Sequence, residues 1–354
     1  MITMEELLQL LVRQGGSDLH LSVTSPPRIR LHGMLVPVDT AALTGDDTRR
    51  LATSVLNSDQ IATLDRDLEL DCSFGLDGSG RFRANIFFQQ GSVAAVLRSI
   101  PSEIPSFEDL GMPLDVCHRI CSMRSGLILV TGATGSGKST SLAAMIDHVN
   151  TNRKSHIVTI EDPVEFTHTH KNCLVTQREV GGDTRSFKNA LRSVLRQDPD
   201  IVLVGELRDH ETIEAALTLA ETGHLTFATL HTSDAVQTIN RIVDVFPAHQ
   251  QAQVRTQLSF SLEAVFCQQL LPSSSGSGRV MAAEIMTCTP GIRALVREGK
   301  THQLYSQIQT GGRMGMRTMA QSLSELVHTS RVNLVDAEMS LSDPSELQGL
   351  LKAA

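Results

Sequence analysis

A glycine-rich octet, GATGSGKS at residues 132–139, matches the pattern G-x-x-x-x-G-K-[ST]. It follows the apolar stretch GLILVT and precedes a segment with helical periodicity, which is the setting in which this pattern binds phosphate. Glycines let the backbone wrap around a phosphate with its N–H groups turned inward, and a helix N-terminus adds a favourable field. The octet predicts a nucleotide-phosphate cradle made of Gly132, Ala133, Thr134, Gly135, Ser136, Gly137, Lys138, Ser139 and the next residue, Thr140.

The last two residues of the octet carry the charge and the hydroxyl of the predicted cradle. Lys138 is expected to reach the β and γ phosphates. Ser139 is expected to offer its hydroxyl to a Mg²⁺ ion that bridges the same phosphates. A magnesium nucleotide is therefore the expected ligand.

Hydrolysis also requires a group that orients or activates water, and two glutamates end predicted strands. Glu206 is the last residue of DIVLVGE, and Glu161 is the last but one of HIVTIED. Both are expected at the carboxyl edge of the sheet, where open α/β sheets place their ligands. Either glutamate could take the role, since acidic residues after strands also cap helices; Asp162, which precedes Pro163, is expected to be structural.

Two histidines bracket the next predicted strand in ETGHLTFATLH. His224 and His231 are seven positions apart and have opposite parity, so they would not share one face of a strand or form a two-histidine metal site. His231 ends its strand on the same edge as Glu206 and Glu161, which indicates a role in sensing phosphate.

Apolar strands alternate with helical segments around these residues. The strands are GLILVTG, HIVTIED, DIVLVGE and LTFATLH, and the helices are predicted at 137–151, 186–197, 209–222 and 234–245. Strands that are apolar on both faces and separated by helices indicate a parallel sheet between helical layers, an α/β fold. From residue 247 onward the pattern predicts mainly helix, interrupted by the flexible PSSSGSG and one strand-like stretch, RVMAAEIM.

The first hundred residues have a different pattern. A helix at 4–14 is followed by the period-2 stretches SDLHLSV, RIRLHG and MLVPV, helical patterns within 45–65, and strands LELDCSFGL and RFRANIFFQ around a turn at Asp77–Gly80. The three prolines of 99–113 indicate a linker. We therefore predict an α+β domain over 1–98, a linker over 99–113 and a larger α/β domain over 114–354.

Charge and hydropathy exclude several classes of protein. Acidic residues outnumber basic ones 39 to 31, Trp is absent and Tyr occurs once, which argues against nucleic-acid binding. The sequence has no uninterrupted apolar run long enough to cross a membrane and begins with an acidic amphipathic segment. A cytoplasmic protein without direct membrane insertion is expected.

Four further stretches carry a family resemblance that covers almost the whole chain. TIEDPVEF, DPDIVLVGELRD, AETGHLTFATLHT and GIRALVREGK accompany the octet. Together they resemble the hexameric ATPases of type II secretion and type IV pilus systems, most nearly the pilus-retraction branch. The resemblance implies a RecA-like P-loop ATPase domain with a smaller PAS-like N-terminal domain, and hydrolysis of ATP with Mg²⁺ to drive pilus retraction.

The resemblance also implies an assembly and residue roles. Family members are ring hexamers in which arginines of one subunit approach the nucleotide of the next; Arg81, Arg83 and Arg98 match them by position. It adds His224 to the nucleotide contacts and Glu206 to the metal contacts. The implied partners are an inner-membrane platform protein, at whose cytoplasmic face the ring would dock, and a paralogous retraction ATPase.

Departures from the family pattern favour retraction over assembly. An extra N-terminal domain and a four-cysteine zinc module, usual in assembly and secretion relatives, are absent from this sequence. The retraction signature is inexact at Gly291, Ala294 and Val296, which leaves an accessory retraction ATPase open. An assembly or secretion ATPase and a nucleotide-gated scaffold without turnover are less favoured alternatives.

The signature itself predicts a helix after Thr289-Pro290, with Ile292, Leu295 and Val296 on one face. Its charged residues Arg293, Arg297 and Glu298 are expected to be more exposed and to couple ring motion to the pilus machinery.

Overall fold

The computed structural model describes residues 2–31, 33–76, 80–101 and 103–353. The chain divides into two compact units. The first consists of Met1–Glu103 with Pro163–Thr167, and the second of Ile104–Asp162 with His168–Ala354.

The first unit is an antiparallel six-stranded sheet with three helices, its strands in the order β3-β2-β1-β6-β5-β4. Its elements are α1 (Met4–Arg13), β1 (Asp18–Leu21), β2 (Arg28–Leu31), β3 (Met34–Pro37), α2 (Gly45–Thr53), α3 (Ser58–Asp67), β4 (Glu69–Leu76), β5 (Gly80–Gln89) and β6 (Ser92–Ile100). The predicted helix and strands are therefore present. Three residues of the turn predicted at Asp77–Gly80 lie outside the described residues.

Period-2 alternation explains how the first sheet buries one face. On β5 the side chains of Phe82, Ala84 and Ile86 are fully buried, whereas Arg83 and Asn85 between them are exposed. The buried face packs against the apolar side of α1, which begins with a capping box at Thr3. On the opposite face of β5 and β6, the polar Arg83, Asn85 and Arg98 lie on the same side as the apolar Phe87, Ala94 and Val96.

The segment predicted as a linker contains regular structure at both ends. Strand β6 continues to Ile100, and a short helix, α4, spans Phe107–Leu110. A capping box at Ser106 starts this helix and Gly111, at φ +67°, ends it. Ser102 lies outside the described residues.

The second unit is built on a seven-stranded sheet in the order β13-β12-β7-β11-β10-β8-β9. Every neighbouring pair is parallel except β12 with β13. After α4 its elements are α5 (Leu114–Cys121), β7 (Gly126–Thr131), α6 (Lys138–Asn152), β8 (His156–Glu161), β9 (Leu174–Glu179), α7 (Phe187–Val194), β10 (Ile201–Val204), α8 (His210–Glu221), β11 (Leu225–Leu230), α9 (Ala235–Asp244), α10 (Gln251–Ser261), β12 (Leu262–Pro272), β13 (Arg279–Thr287), α11 (Pro290–Arg297), α12 (Leu304–Thr310), α13 (Met319–His328), α14 (Leu334–Met339) and α15 (Ser345–Ala353), with 3-10 turns at Thr301–Gln303 and Gly312–Met314.

Helices cover both faces of this sheet, as the continuous apolar strands predict. All six residues of β7 and all four of β10 are buried. One core lies between the sheet and α7 to α10, and a second lies between the opposite face and α4 to α6. The four predicted helices are present as α6 to α9, although α7 ends at Val194 rather than at 197.

The prediction for the region after residue 247 is wrong in one respect. Leu262–Pro272, expected to be helical, form strand β12, which lies between β7 and β13. A short apolar run such as LEAVFCQQLLP is compatible with a buried helix or a buried strand, and periodicity alone does not separate them. The predicted flexible PSSSGSG is the connection of the resulting β12–β13 hairpin. Strand β9 was also not predicted.

Three helices complete the second unit beyond the sheet. α13 and α15 pack together with side chains of β12 and β13 in a separate small core. Among the described residues, no helix is both long enough and apolar enough to cross a membrane.

Candidate nucleotide-binding and catalytic site

The glycine-rich octet connects β7 to α6 in a conformation that requires glycine. Gly132, Gly135 and Gly137 have φ values of +141°, +80° and +88°. A Cβ atom on Gly132 would lie 2.3 Å from the carbonyl oxygen of Gln268 and 2.6 Å from Ser136 Oγ, so any other residue would collide. The octet therefore forms the tight loop that its sequence predicts.

Two side chains of the loop, Lys138 and Ser136, have surroundings that fit a phosphate ligand. Lys138 is largely buried, and its Nζ donates to the carbonyl oxygens of Gly132 at 2.8 Å and Ala133 at 3.0 Å. Ser136 Oγ is buried and has no hydrogen-bond partner among the described residues. A buried hydroxyl without a partner costs free energy unless a ligand supplies one. Ser139 and Thr140 are half-buried in the first turn of α6.

The ends of two adjacent strands bring Glu206 and His231 together. Glu206 follows β10 and His231 follows β11, and His231 Nε2 lies 3.2 Å from Glu206 Oε1. Arg208 Nε donates to the other carboxylate oxygen, Oε2, at 2.8 Å. This hydrogen bond is the main cause of a raised pKa at Arg208. The predicted carboxyl-edge cluster is thus present for these two residues.

Glu161 has different neighbours at the end of β8. Its Oε1 accepts hydrogen bonds from Thr159 Oγ1 at 2.6 Å and from Gln177 Nε2 at 3.2 Å. Two neutral side chains, one on β8 and one on β9, thus donate to this carboxylate. The next residue is Asp162, whose Oδ2 lies 4.0 Å from Arg208 Nη1.

His224 lies at the opposite edge of the sheet from the glycine-rich loop. It precedes β11, and its Nδ1 is 3.0 Å from the carbonyl oxygen of Leu219 and 3.1 Å from Thr222 Oγ1. Within one chain, the structure does not bring His224 together with Lys138, Glu206 or His231. Its observed contacts are those of a residue that joins α8 to β11.

The three candidate arginines share one face of the first unit's sheet. Arg83 and Arg98 are cross-strand neighbours on β5 and β6, and Arg81 is two positions before Arg83. Arg98 Nε donates to the buried Asp18 at 2.8 Å, yet 68% of the arginine side chain is exposed. Arg81 donates to Ser73 Oγ at 2.8 Å.

Arg293 is less exposed than predicted, and its coupling role stays a prediction. Its guanidinium forms two 2.8 Å hydrogen bonds with Glu263 and is 23% exposed. It also donates to three carbonyl oxygens at the junction of α10 and β12, those of Ser259, Phe260 and Leu262. Because the last carbonyls of a helix lack partners within it, Arg293 caps α10.

The remaining predictions for the signature helix, α11, agree with the structure. Ile292 and Val296 are buried and Leu295 is half-buried, while Arg297 and Glu298 are exposed. Thr289 caps the helix and Pro290 occupies its first turn.

Sequence reasoning missed a buried acid on β13. Glu284 is 3% exposed, and its Oε1 accepts the backbone N–H of Ala235, the first residue of α9, at 2.9 Å. Burial, with the negative charges of Asp234 and Glu346, raises the pKa of Glu284 to about 7. Nothing in RVMAAEIM other than a lone acid among apolar residues marks this position.

Comparison with known proteins gives one consistent result. The family described as type II/IV secretion system protein matches residues 3–339. The type IV pilus retractation ATPase PilT of Pseudomonas aeruginosa is 52% identical over 322 residues, covering 91% of this chain and 93% of that relative. The type IV pilus ATPase PilU of the same organism is 40% identical over 348 residues, covering 98% and 91%.

A solved structure is similar over the same length. The crystal structure of the pilus retraction motor PilT with bound ADP has a TM-score of 0.93 at 48% identity, and the match covers 99% of this chain and 100% of that one. The predicted α/β P-loop ATPase fold and the predicted family are both confirmed. The chain belongs to the type II/IV secretion system protein family and has the fold of its ATPases.

Proposed function

We propose that this chain is an ATP-hydrolysing motor that powers type IV pilus retraction. The observation that carries the proposal is the glycine-rich phosphate loop with its buried Lys138, in a chain 52% identical to a pilus retraction ATPase. The similar solved motor contains ADP, which supports a nucleotide as the ligand.

The loop is the proposed binding site for the phosphates of ATP. Residues 132–140 would surround them, and the partnerless Ser136 Oγ and the left-handed glycines fit such a ligand. Ser139 and Glu206 are the proposed contacts of Mg²⁺, which when bound offsets phosphate charge. Lys138 would hold the γ-phosphate as negative charge develops on it.

Glu206 is the proposed residue that positions the attacking water. His231 and Arg208 approach its two carboxylate oxygens, which fixes the plane of the carboxylate at the ligand-binding edge of the sheet. Glu161 accepts hydrogen bonds from Thr159 and Gln177. Its proposed role is to support that edge. His231 would report the state of the γ-phosphate through its contact with Glu206, and His224 remains a candidate contact of the nucleotide only in an assembled ring.

Force production is proposed to require a homohexamer. Arg81, Arg83 and Arg98 would act on the nucleotide of a neighbouring subunit, a role suited to guanidinium groups on one sheet face. When hydrolysis releases these arginines from the neighbouring nucleotide, the two domains, 1–98 and 114–354, would be able to rotate at a hinge within 99–113. The ring would work in the cytoplasm at the inner-membrane platform protein of the pilus machine.

An accessory retraction ATPase is the second candidate, because the relative PilU is 40% identical over 98% of the chain. The higher identity to PilT favours the main motor.

Two measurements test the proposal, one on cells that lack the gene and one on the purified protein. Deleting the gene should leave surface pili that no longer retract, and the purified wild-type chain should release phosphate from ATP. Loss of pilus assembly would indicate an assembly ATPase. ATP binding without phosphate release would indicate a scaffold, and weakened but persistent retraction would indicate the accessory role.

A further inference from the structure

Strand β12, which sequence patterns did not predict, lies directly beside the phosphate loop. It pairs in parallel with β7, and Cys267 is the register partner of Thr131, the last residue before the loop. The next residue on β12, Gln268, therefore lies alongside the start of the loop.

Gln268 contacts the loop through its main chain and its side chain. Its carbonyl oxygen occupies the space that a Cβ on Gly132 would require, at 2.3 Å. Its side-chain Nε2 donates to the carbonyl oxygen of Ser136 at 2.8 Å, and the residue is 3% exposed. One buried residue thus lies against the start of the loop at Gly132 and donates a hydrogen bond near its end at Ser136.

The hydrogen bond to Ser136 determines the direction of the following amide. In a planar trans peptide, the carbonyl of one residue and the N–H of the next point in opposite directions. Because the Ser136 carbonyl points at Gln268, the Gly137 N–H points away from β12. Backbone N–H groups at this position of a phosphate loop are phosphate donors.

We propose that Gln268 is a positioning residue for nucleotide binding, which acts by fixing the Ser136–Gly137 peptide so that the Gly137 N–H faces the phosphates. The proposal rests on the nucleotide site proposed above. A donor to phosphate oxygens that serves the ground state and the transition state alike affects KM and leaves kcat nearly unchanged. Loss of one such buried bond is expected to weaken nucleotide affinity about tenfold.

The chain offers a matched pair of variants for the test. Gln268→Met keeps the length of the side chain and removes the donor. Gln269→Met makes the same change one residue along β12, on the opposite face, where the side chain is half-buried. Gln268→Leu is a second variant, which also lacks the donor to Ser136 and adds no charge.

Full-length proteins are compared by ADP titration and by steady-state ATP hydrolysis, with thermal melting in the absence of nucleotide as the folding check. For Gln268→Met and Gln268→Leu we expect the ADP Kd and the KM for ATP to rise about tenfold, with kcat within about threefold of wild type. Gln269→Met should match wild type in the ADP Kd, the KM for ATP and kcat.

The outcomes separate the proposal from its foundation. Wild-type chain that binds no ADP would contradict the nucleotide site itself. If wild type binds ADP and the Gln268 variants bind it within twofold of Gln269→Met, Gln268 does not position the loop. A fall in kcat at unchanged Kd, or failure of both Gln268 variants to fold, would likewise overturn the proposal.

Discussion

His231 Nε2 lies 3.2 Å from Glu206 Oε1, so that side chains from the ends of two neighbouring parallel strands meet at the carboxyl edge of the sheet. Arg208 Nε donates to Glu206 Oε2 at 2.8 Å from the same loop. A carboxylate approached at both oxygens has little freedom to rotate. This arrangement suits a residue that must hold water in one orientation.

Glu206→Gln should bind ATP and hydrolyse it at least ~10²-fold more slowly, because the amide neither accepts a proton nor carries the charge. The rate of ATP hydrolysis should fall less in Glu161→Gln, since Thr159 Oγ1 can still donate to the amide oxygen. Phosphate release at saturating ATP measures both. If Glu161→Gln released phosphate far more slowly than wild type and Glu206→Gln did so at nearly the wild-type rate, Glu161 and not Glu206 would be the residue that positions the water.

Arg293→Ala should lower the free energy of unfolding by about 2 kcal/mol or more, because it leaves Glu263 without its partner and the end of α10 without its cap. Denaturant unfolding measures the change. Arg297→Ala, four residues along the same helix and exposed, is the control and should stay within about 0.5 kcal/mol of wild type. Equal stability of the two variants would contradict the capping role.

The exposed charges of α11 and its end that remain candidates for coupling to the pilus machinery are Arg297 and Glu298. Their replacement should stop pilus retraction while leaving ATP hydrolysis intact.

Glu284 makes stability depend on pH. Its pKa is raised from 4.5 to about 7, so the folded chain retains a proton that the unfolded chain has released in that interval. The free energy of unfolding should therefore fall as pH rises from about 4.5 to about 7, by up to ~1.4 kcal/mol per pH unit from this group. Glu284→Gln keeps an acceptor for the Ala235 N–H and should remove this part of the slope. If the stability of wild type and of Glu284→Gln changed equally with pH in melting experiments between pH 5 and 8, Glu284 would not titrate in that range.

Arginines that act between subunits should complement a defective loop in mixed rings. Arg83→Ala and Arg98→Ala should each be inactive alone. Mixed with Lys138→Ala subunits, they should regain part of their turnover, because an intact loop can then face an intact arginine. The measurement is phosphate release across mixing ratios, with subunit exchange verified. Absence of rescue in verified mixed rings would mean that the arginines act within their own subunit or only support the sheet.

The sequence predicted the parts of the site that local chemistry determines. The octet requires left-handed glycines, and the apolar strands require burial on both faces, so loop, parallel sheet and the positions of Glu206 and His231 followed from short patterns. Gln268, Arg293 and Glu284 were missed or misassigned because their partners are distant in the chain: Ser136, Glu263 and Ala235 respectively. Side-chain contacts between separate elements leave no periodic pattern in the sequence.

Pilus retraction in living cells that carry Lys138→Ala at the chromosomal position of this gene tests the central claim most directly. The substitution removes the ammonium that contacts Gly132 and Ala133 in the phosphate loop. With labelled pili, the account predicts that such cells extend pili and fail to retract them, the same result that it predicts for cells lacking the gene. Retraction at the wild-type frequency and speed would contradict the claim that ATP bound at this loop drives the motor.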